Sequence, residues 1–416
     1  MTESITESVT ESIIESVAEF IQRHDAGRVP ELLALRYHRM QVDALAFFRG
    51  SAPLYYARFR AEPLLGASPA AWLCGDAHVE NFGSFRGDNR LVYFDLNDFD
   101  EAVLGPVLWD VGRLVVSVLL AAARFGLPPA ARQALAQELV AAYAAALAAG
   151  KAYQLERATA RGVVQHLLTA VAQRRQRALL AGRASRRGGW HLLPREAPTL
   201  RPLPPAEHRA VLHALEAWRQ AQGHPPCGPL LDVAGRIAGV GSLGVPRYAV
   251  LAEALRPGKL PRLLDLKAAA PAAPAIYCPG PQPAWPSEAA RVVAAQVRLQ
   301  AVPPALLQAL ALAGQPFVLR ALQPVADKLD FSNFTHGAAG FRAALPTFGR
   351  LLAWAHLRAA GRQGAAGPDE LMAFGEAAAD WLPGLLHFAT AAKAVVREDF
   401  HSFRRACRAG QLPTAP

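Results

Sequence analysis

The chain has 416 residues and a net charge of +10, with 52% hydrophobic and 19% charged residues. Its length accommodates two lobes that each bury a core, and its composition excludes extensive disorder. No apolar run is long enough to span a bilayer and no C-x-x-C pair occurs among the four cysteines, which excludes a membrane partner and a zinc or disulfide scaffold and favours the cytoplasm.

The first segment, residues 1–30, is predicted to form an amphipathic helix. A four-residue unit repeats between residues 2 and 21 and brings apolar side chains to one helical face. These side chains belong to Ile5, Val9, Ile13, Val17 and Ile21. Residues 31–60 then predict two helices separated by a turn at Arg49-Gly50-Ser51.

The predicted secondary structure changes twice in the rest of the chain. Residues 72–101 contain short apolar pieces broken by Gly, Asp and Asn, which predict two short strands with loops. Residues 106–182 are nearly continuous helix by composition, and alternating apolar runs appear after residue 230. The predicted α+β fold has a largely helical lobe over 31–230, a β-rich lobe over 231–330 and a helical return over 331–416.

The segment from Cys74 to Leu114 carries the strongest chemical signal. Asp76 and Asn81 are five positions apart in a D-x-x-x-x-N pattern, and Asp95 closes the apolar strand LVYF. Phosphoryl transfer from ATP requires a carboxylate near the acceptor hydroxyl, plus an amide and a second carboxylate that hold Mg²⁺ against the phosphates. Asp76 is therefore predicted as the catalytic residue, and Asn81 and Asp95 as the metal ligands. Each of them taken alone is also explained as a turn residue that bonds its own backbone.

Three motifs in this segment resemble those of aminoglycoside and choline kinases. GDAHVEN resembles their H-G-D-x-H-x-x-N loop, with Cys74 in place of the first His. FDLNDFD is similar to their I-D-x-x-D segment, and GPVLWDVGRL is similar to the start of their next helix. The wider pattern over about residues 30–410 resembles an uncharacterised bacterial family, domain of unknown function 2252, which is regarded as kinase-like. The resemblance implies a protein-kinase-like two-lobed fold, in which Asp110 accepts hydrogen bonds from the backbone of the catalytic loop.

The second half of the chain contains a candidate nucleotide clamp. A glycine-rich loop lies between alternating apolar runs, and its backbone N–H groups are predicted to cover phosphates. Its candidate residues are Gly239, Gly241, Ser242 and Gly244. Lys267 follows about one hairpin later, as the phosphate-pairing lysine does in kinases, and Glu288 at a helix start is predicted to pair with it. The alternatives are a tight hairpin for the loop and a lysine that snorkels at a sheet edge.

The order of these motifs differs from that of an ordinary kinase. The glycine-rich loop and the lysine come after the catalytic loop in this chain, whereas kinases have them before it. Circular permutation is the simplest explanation. It predicts that the helices before the catalytic loop lie close to the helices at the C-terminus.

The leading functional hypothesis is an ATP- and Mg²⁺-dependent phosphotransferase whose acceptor is unknown, with a small molecule preferred over a protein. One alternative is a metal-dependent phosphoesterase, although the upstream D-x-H and downstream G-N-H-[DE] motifs of that class are missing. Another alternative is a nucleotide-binding protein of the same fold without turnover. Nucleic acid is disfavoured as a partner because the basic residues are not interleaved with aromatic ones.

Overall fold

The computed structural model describes residues 16–329, 331–334 and 336–414, and its helices and antiparallel sheets form an α+β architecture. Most of the predicted N-terminal repeat lies outside the described residues. The part inside them forms helix α1 (Val17–His24), in which Val17 and Ile21 are buried as the repeat predicts. Ser16 and Glu19 cap this helix reciprocally, since each side chain accepts a hydrogen bond from the other residue's backbone N–H.

The first half of the chain is mostly helical and carries two small hairpin-like sheets. Its early elements are α2 (Pro30–Met40), α3 (Ala44–Gly50), α4 (Ala52–Phe59), α5 (Pro63–Gly66), β1 (Ala70–Leu73), β2 (Phe82–Arg86), β3 (Val92–Leu96) and β4 (Val103–Pro106). Strand β1 pairs with β4 and β2 pairs with β3, both antiparallel. The predicted strand LVYF is thus present as β3, and two further short strands flank this hairpin.

The predicted helical stretch over 106–182 is interrupted between residues 149 and 161. Its elements are α6 (Val107–Arg124), α7 (Pro129–Ala148), α8 (Gly162–Gln173) and α9 (Gln176–Leu180), followed by the short strands β5 (Ala184–Ser185) and β6 (His191–Leu192). Helix α6 is buried along almost its whole length, because it is the central helix of the main hydrophobic core. It therefore holds the loops at its N-terminal end in fixed positions.

A six-stranded antiparallel sheet forms the second half of the fold. Its elements are β7 (Leu200–Arg201), α10 (Pro205–Gln220), β8 (Leu230–Arg236), β9 (Arg247–Ala252), β10 (Arg262–Ala268), α11 (Glu288–Leu299), β11 (Gln308–Leu312) and β12 (Gln315–Ala321). The strand order is β11-β12-β10-β9-β8-β7. One face packs on α10 around the buried Leu215. On β10, Asp265 and Lys267 share the other face because strand side chains alternate, so that face carries charge.

The chain then returns to the helical part. The last helices are α12 (Gly337–Ala359), α13 (Pro368–Glu376) and α14 (Ala378–Arg408). Helices α12 and α13 pack on α7, and α14 packs on α1, α3, α5 and α6. Helices from both ends of the chain therefore share one core with α6 and α7, which is the proximity expected from the motif order.

No helix within residues 16–414, apart from the undescribed positions 330 and 335, is long and apolar enough to cross a membrane. All four cysteines are free, and three of them are buried.

Candidate functional site

A cavity of about 270 Å³ lies where the helical part meets the sheet. Six separate pieces of chain line it: the N-terminal helices, the loop after β1, the loop after β3, the glycine-rich loop between β8 and β9, the end of β10 with the segment after it, and Lys328. Its polar lining residues include Arg49, Asp76, His78, Glu80, Asn81, Asp98, Asp100, Glu101, Ser242 and Lys328. We refer to this cavity as the cleft.

The backbone of the loop after β1 is held by the helix that follows it. Asp110, in the first turn of α6 and fully buried, accepts hydrogen bonds from the N–H groups of Cys74 (2.8 Å) and Gly75 (3.0 Å). This is the structural role that the resemblance implied for Asp110, and the structure confirms it. Gly75 has φ +75°, and a Cβ there would lie 1.7 Å from the carbonyl oxygen of Glu101. Only glycine fits this position.

The carboxylate of Asp76 faces the cleft and is oriented from behind by a buried arginine. Arg113 of α6 donates through Nε to Asp76 Oδ1 at 2.7 Å, while its guanidinium stacks on the Phe48 ring. Burial raises the pKa of Asp76 above 3.8, although Arg113 opposes this shift. The Asp76 side chain remains 20% exposed and lines the cleft.

His78 is a neighbour of Asp76 that stays neutral. Burial and the positive charges of Arg49 and Arg113 lower its pKa well below 6.5. Its Nδ1 accepts a hydrogen bond from Glu80 N at 3.1 Å, which leaves the proton on Nε2, 3.7 Å from Asp76 Oδ2. His78 therefore positions the loop and directs a polar hydrogen towards Asp76.

Asn81 connects the loop after β1 to the loop after β3. Its Nδ2 donates to the carbonyl oxygens of Asp76 (3.1 Å) and Asp98 (3.2 Å), and its Oδ1 accepts from Asp98 N at 2.9 Å. These three bonds fix the orientation of the amide, because only the oxygen can accept from an N–H. The second lone pair of Oδ1 has capacity for a cation beside Asp98.

Lys267 of β10 does not itself line the cleft, but its side chain contacts two residues that do. Its ammonium forms an ion pair with Asp100 and lies 3.4 Å from Asp98 Oδ2. Burial acts to raise the pKa of Asp98, but Lys267 and Lys328 outweigh it, and that pKa falls below 3.8. Asp98 is therefore ionised, and its side chain is 38% exposed to the cleft.

Two residues of the cleft whose pKa is about 7 were missed by sequence reasoning. Burial lowers the pKa of Lys328 from 10.5 to about 7, against the opposing effect of Asp98. Burial raises the pKa of Glu101 from 4.5 to about 7, although the backbone N–H of Ala273 donates to it at 2.6 Å. No motif marks Lys328, whereas Glu101 and Asp98 belong to the acidic D-F-D-E sequence directly after β3.

Two predicted site residues lie elsewhere. Asp95, predicted as a metal ligand, accepts hydrogen bonds from Ala301 N (3.2 Å) and Arg358 (3.3 Å), and it does not line the cleft. Glu288 pairs with Arg291 one helical turn along, so the predicted ion pair with Lys267 is not formed. In both cases an arginine pairs with the carboxylate instead: Arg358 of α12 with Asp95, and Arg291 of the same helix with Glu288.

The glycine-rich loop lies over the cleft and is held from outside by arginines of α2 and its preceding turn. Arg39 donates to Gly239 O at 3.0 Å, Arg36 to Gly241 O at 2.8 Å, and Arg28 to Leu243 O at 2.8 Å. Gly239 and Gly244 have φ of +78° and +91°, which favours glycine there. Gly239, Gly241 and Ser242 line the cleft, whereas Gly244 packs against Arg28.

The donor set suits a cation that is shared with a phosphate. Among the residues that the structure describes, no group of three or more His, Cys, Asp or Glu side chains is arranged to hold a metal ion. Mg²⁺ needs no such group when phosphate oxygens and water complete its octahedron, since one or two carboxylates then suffice. The Asp98 carboxylate and Asn81 Oδ1 fit this requirement.

The comparisons with known proteins define a family without a described activity. The model of the family described as "Uncharacterized protein conserved in bacteria (DUF2252)" matches residues 28–406, and the chain belongs to this family. No curated protein and no solved structure matched the chain.

Proposed function

We propose that this member of the DUF2252 family is an ATP- and Mg²⁺-dependent phosphotransferase with a kinase-like, circularly permuted two-lobed fold. Its acceptor is an unidentified hydroxyl-bearing molecule, with a small molecule preferred. In this proposal the lobe of α2–α9 and α12–α14 carries the catalytic loop, and the six-stranded sheet with α11 forms the nucleotide lobe.

One observation carries the proposal: Asp76, Asn81 and Asp98 line one cleft, and Lys267 lies directly behind Asp98. Lys267 and Asp98 are 169 positions apart in sequence, yet their side chains are 3.4 Å apart. Desolvation makes buried charge costly, so a cleft that gathers several ionised groups indicates a functional site. A carboxylate, an amide and a lysine beside a glycine-rich loop is the set that phosphoryl transfer uses.

Asp98 and Asn81 are the residues that would hold Mg²⁺, so the metal role predicted for Asp95 moves to Asp98. Bound Mg²⁺ neutralises charge on the phosphate oxygens. Lys267 would steady the same phosphates, and its ion pair with Asp100 would hold its ammonium in place when Asp98 engages the cation. The glycine-rich loop would cover the phosphates with its N–H groups.

Asp76 would orient the acceptor hydroxyl and accept its proton. Arg113 occupies Oδ1 and fixes the carboxylate plane, which leaves Oδ2 towards the cleft. A carboxylate with a raised pKa is a stronger base than an exposed aspartate, and it does not need to move before reaction.

The test compares binding with turnover in wild type, Asp76→Asn and the exposed control Asp369→Asn. Calorimetry should show Mg-ATP binding in all three proteins, and slow ADP release should be lost only in Asp76→Asn. ATP binding without ADP release in wild type would favour the non-catalytic alternative. Release of phosphate from monoesters with metal alone would favour the phosphoesterase.

A further inference from the structure

A second cavity, of about 430 Å³, lies on another side of the hairpin β2–β3. It is bounded by the hairpin tip, the start of α9 and the adjoining ends of β10 and β12. None of its lining residues lines the cleft. A volume of this size is in the range that holds a small organic ligand. We refer to it as the hairpin pocket.

The hairpin pocket is strongly basic. Six arginines and two aspartates line it: Arg86, Arg90, Arg174, Arg175, Arg262, Arg320, Asp88 and Asp327. Both aspartates are already engaged, since Asp327 pairs with Arg174 and Asp88 accepts from Leu306 N at 3.1 Å. Guanidinium groups without a carboxylate partner attract anions, and phosphate matches their planar donor geometry.

Three of these arginines have unpaired guanidinium groups. Within the described part of the chain, the side chains of Arg90, Arg175 and Arg262 form no ion pair and no hydrogen bond. By contrast, a hydrogen bond holds Arg86 and an ion pair holds Arg174. They come from three different elements, the hairpin tip, the N-cap of α9 and the start of β10. The pocket therefore has an anion-attracting rim that the fold itself does not neutralise.

Two buried side-chain amides provide hydrogen-bonding groups in the pocket in addition to the arginines. Asn97 and Gln323 line it and are 3% and 7% exposed, and neither Asn97 Nδ2 nor Gln323 Oε1 has a hydrogen-bond partner. Both amides adjoin Gly83, where an ideal Cβ would lie 2.8 Å from Asn97 Nδ2 and 3.1 Å from Gln323 Nε2. An unpaired buried polar group is costly unless a ligand satisfies it. A ligand edge that offers one acceptor and one donor would complement the unpaired donor of Asn97 and the unpaired acceptor of Gln323.

We propose that the hairpin pocket binds a phosphorylated small molecule with such an edge, the chemistry of a nucleoside monophosphate. The phosphate is held by the arginine rim, and the edge pairs with Asn97 and Gln323. This inference does not depend on phosphotransfer in the cleft.

Calorimetric titration with AMP and with ribose 5-phosphate tests the proposal on the full chain. Arg175→Ala/Arg262→Ala should weaken both probes by about tenfold or more, because it removes two charge-assisted contacts. Arg177→Ala, on α9 but outside the pocket lining, is the matched control and should leave both affinities unchanged. Asn97→Leu should weaken AMP but not ribose 5-phosphate, since only AMP has the base edge.

Lys267→Met separates this proposal from the function proposed for the cleft, because it removes the phosphate-binding lysine there. AMP affinity unchanged in Lys267→Met and lost in the double arginine variant supports the hairpin pocket. Loss of AMP binding in Lys267→Met alone, equal affinity in wild type and the double variant, or no binding of either probe would each overturn it.

Discussion

The assignment of the metal carboxylate to Asp98 rather than Asp95 can be tested by one pair of substitutions. Asp98→Asn keeps the shape of the side chain and leaves Lys267 paired with Asp100, so the free energy of unfolding without ligand should change by less than about 1 kcal/mol. Asp95→Asn leaves Arg358, whose side chain is 13% exposed, without its carboxylate. Breaking a buried pair costs about 3–5 kcal/mol, and we expect the lower end because Arg358 also donates to Leu299 O.

The assay is thermal unfolding of both variants with Mg-ATP, with ATP and chelator, and with Mg²⁺ alone. A ligand at about 100 times its dissociation constant stabilises the folded state by roughly 2.7 kcal/mol. Asp95→Asn should unfold at a lower temperature than wild type but keep the full stabilisation by Mg-ATP. Asp98→Asn should lose that stabilisation. The reverse pattern, with stabilisation lost in Asp95→Asn and kept in Asp98→Asn, would refute the assignment.

Three further predictions concern the frame of the cleft. The pKa of Glu101 is about 7 in the folded chain and 4.5 in the unfolded chain, so the free energy of unfolding of the wild type should fall by about 3 kcal/mol as the pH rises from 4.5 to 7. Glu101→Gln should make this fall smaller, as measured by urea titrations at several pH values. Gly75→Ala should prevent native folding, as judged by circular dichroism, because its Cβ would overlap the Glu101 carbonyl, whereas Gly66→Ala, with open space around it, should fold normally. Asp110→Asn should destabilise the chain by about 1–3 kcal/mol in chemical denaturation, because the Cys74 and Gly75 N–H groups donate to different carboxylate oxygens and the amide NH2 that replaces one of them cannot accept; unchanged stability would remove its structural role.

The local sequence pattern was sufficient to predict the elements that depend on residues close together in the sequence. The apolar strand before Asp95, the helix start at Glu288 and the turns at Gly239 and Gly244 are present where the sequence predicts them, because their signals are a short apolar run, a serine directly before the helix and glycine at positive φ. The Asp76 to Asn81 spacing also placed both residues correctly at one loop, since five positions of chain cannot separate them far.

The sequence by itself determined the α+β class, the helical and β-rich stretches, the loop of Asp76 and Asn81, and the glycine-rich loop. Only the tertiary structure decided which aspartate of this segment lies in the cleft and with which arginine or lysine each aspartate pairs. Asp95 and Asp98 are three positions apart in one acidic segment, but Arg358 of α12 binds the first and Lys267 of β10 approaches the second. Ion pairing depends on distances between side chains from remote parts of the chain, and a local pattern carries no information about those distances.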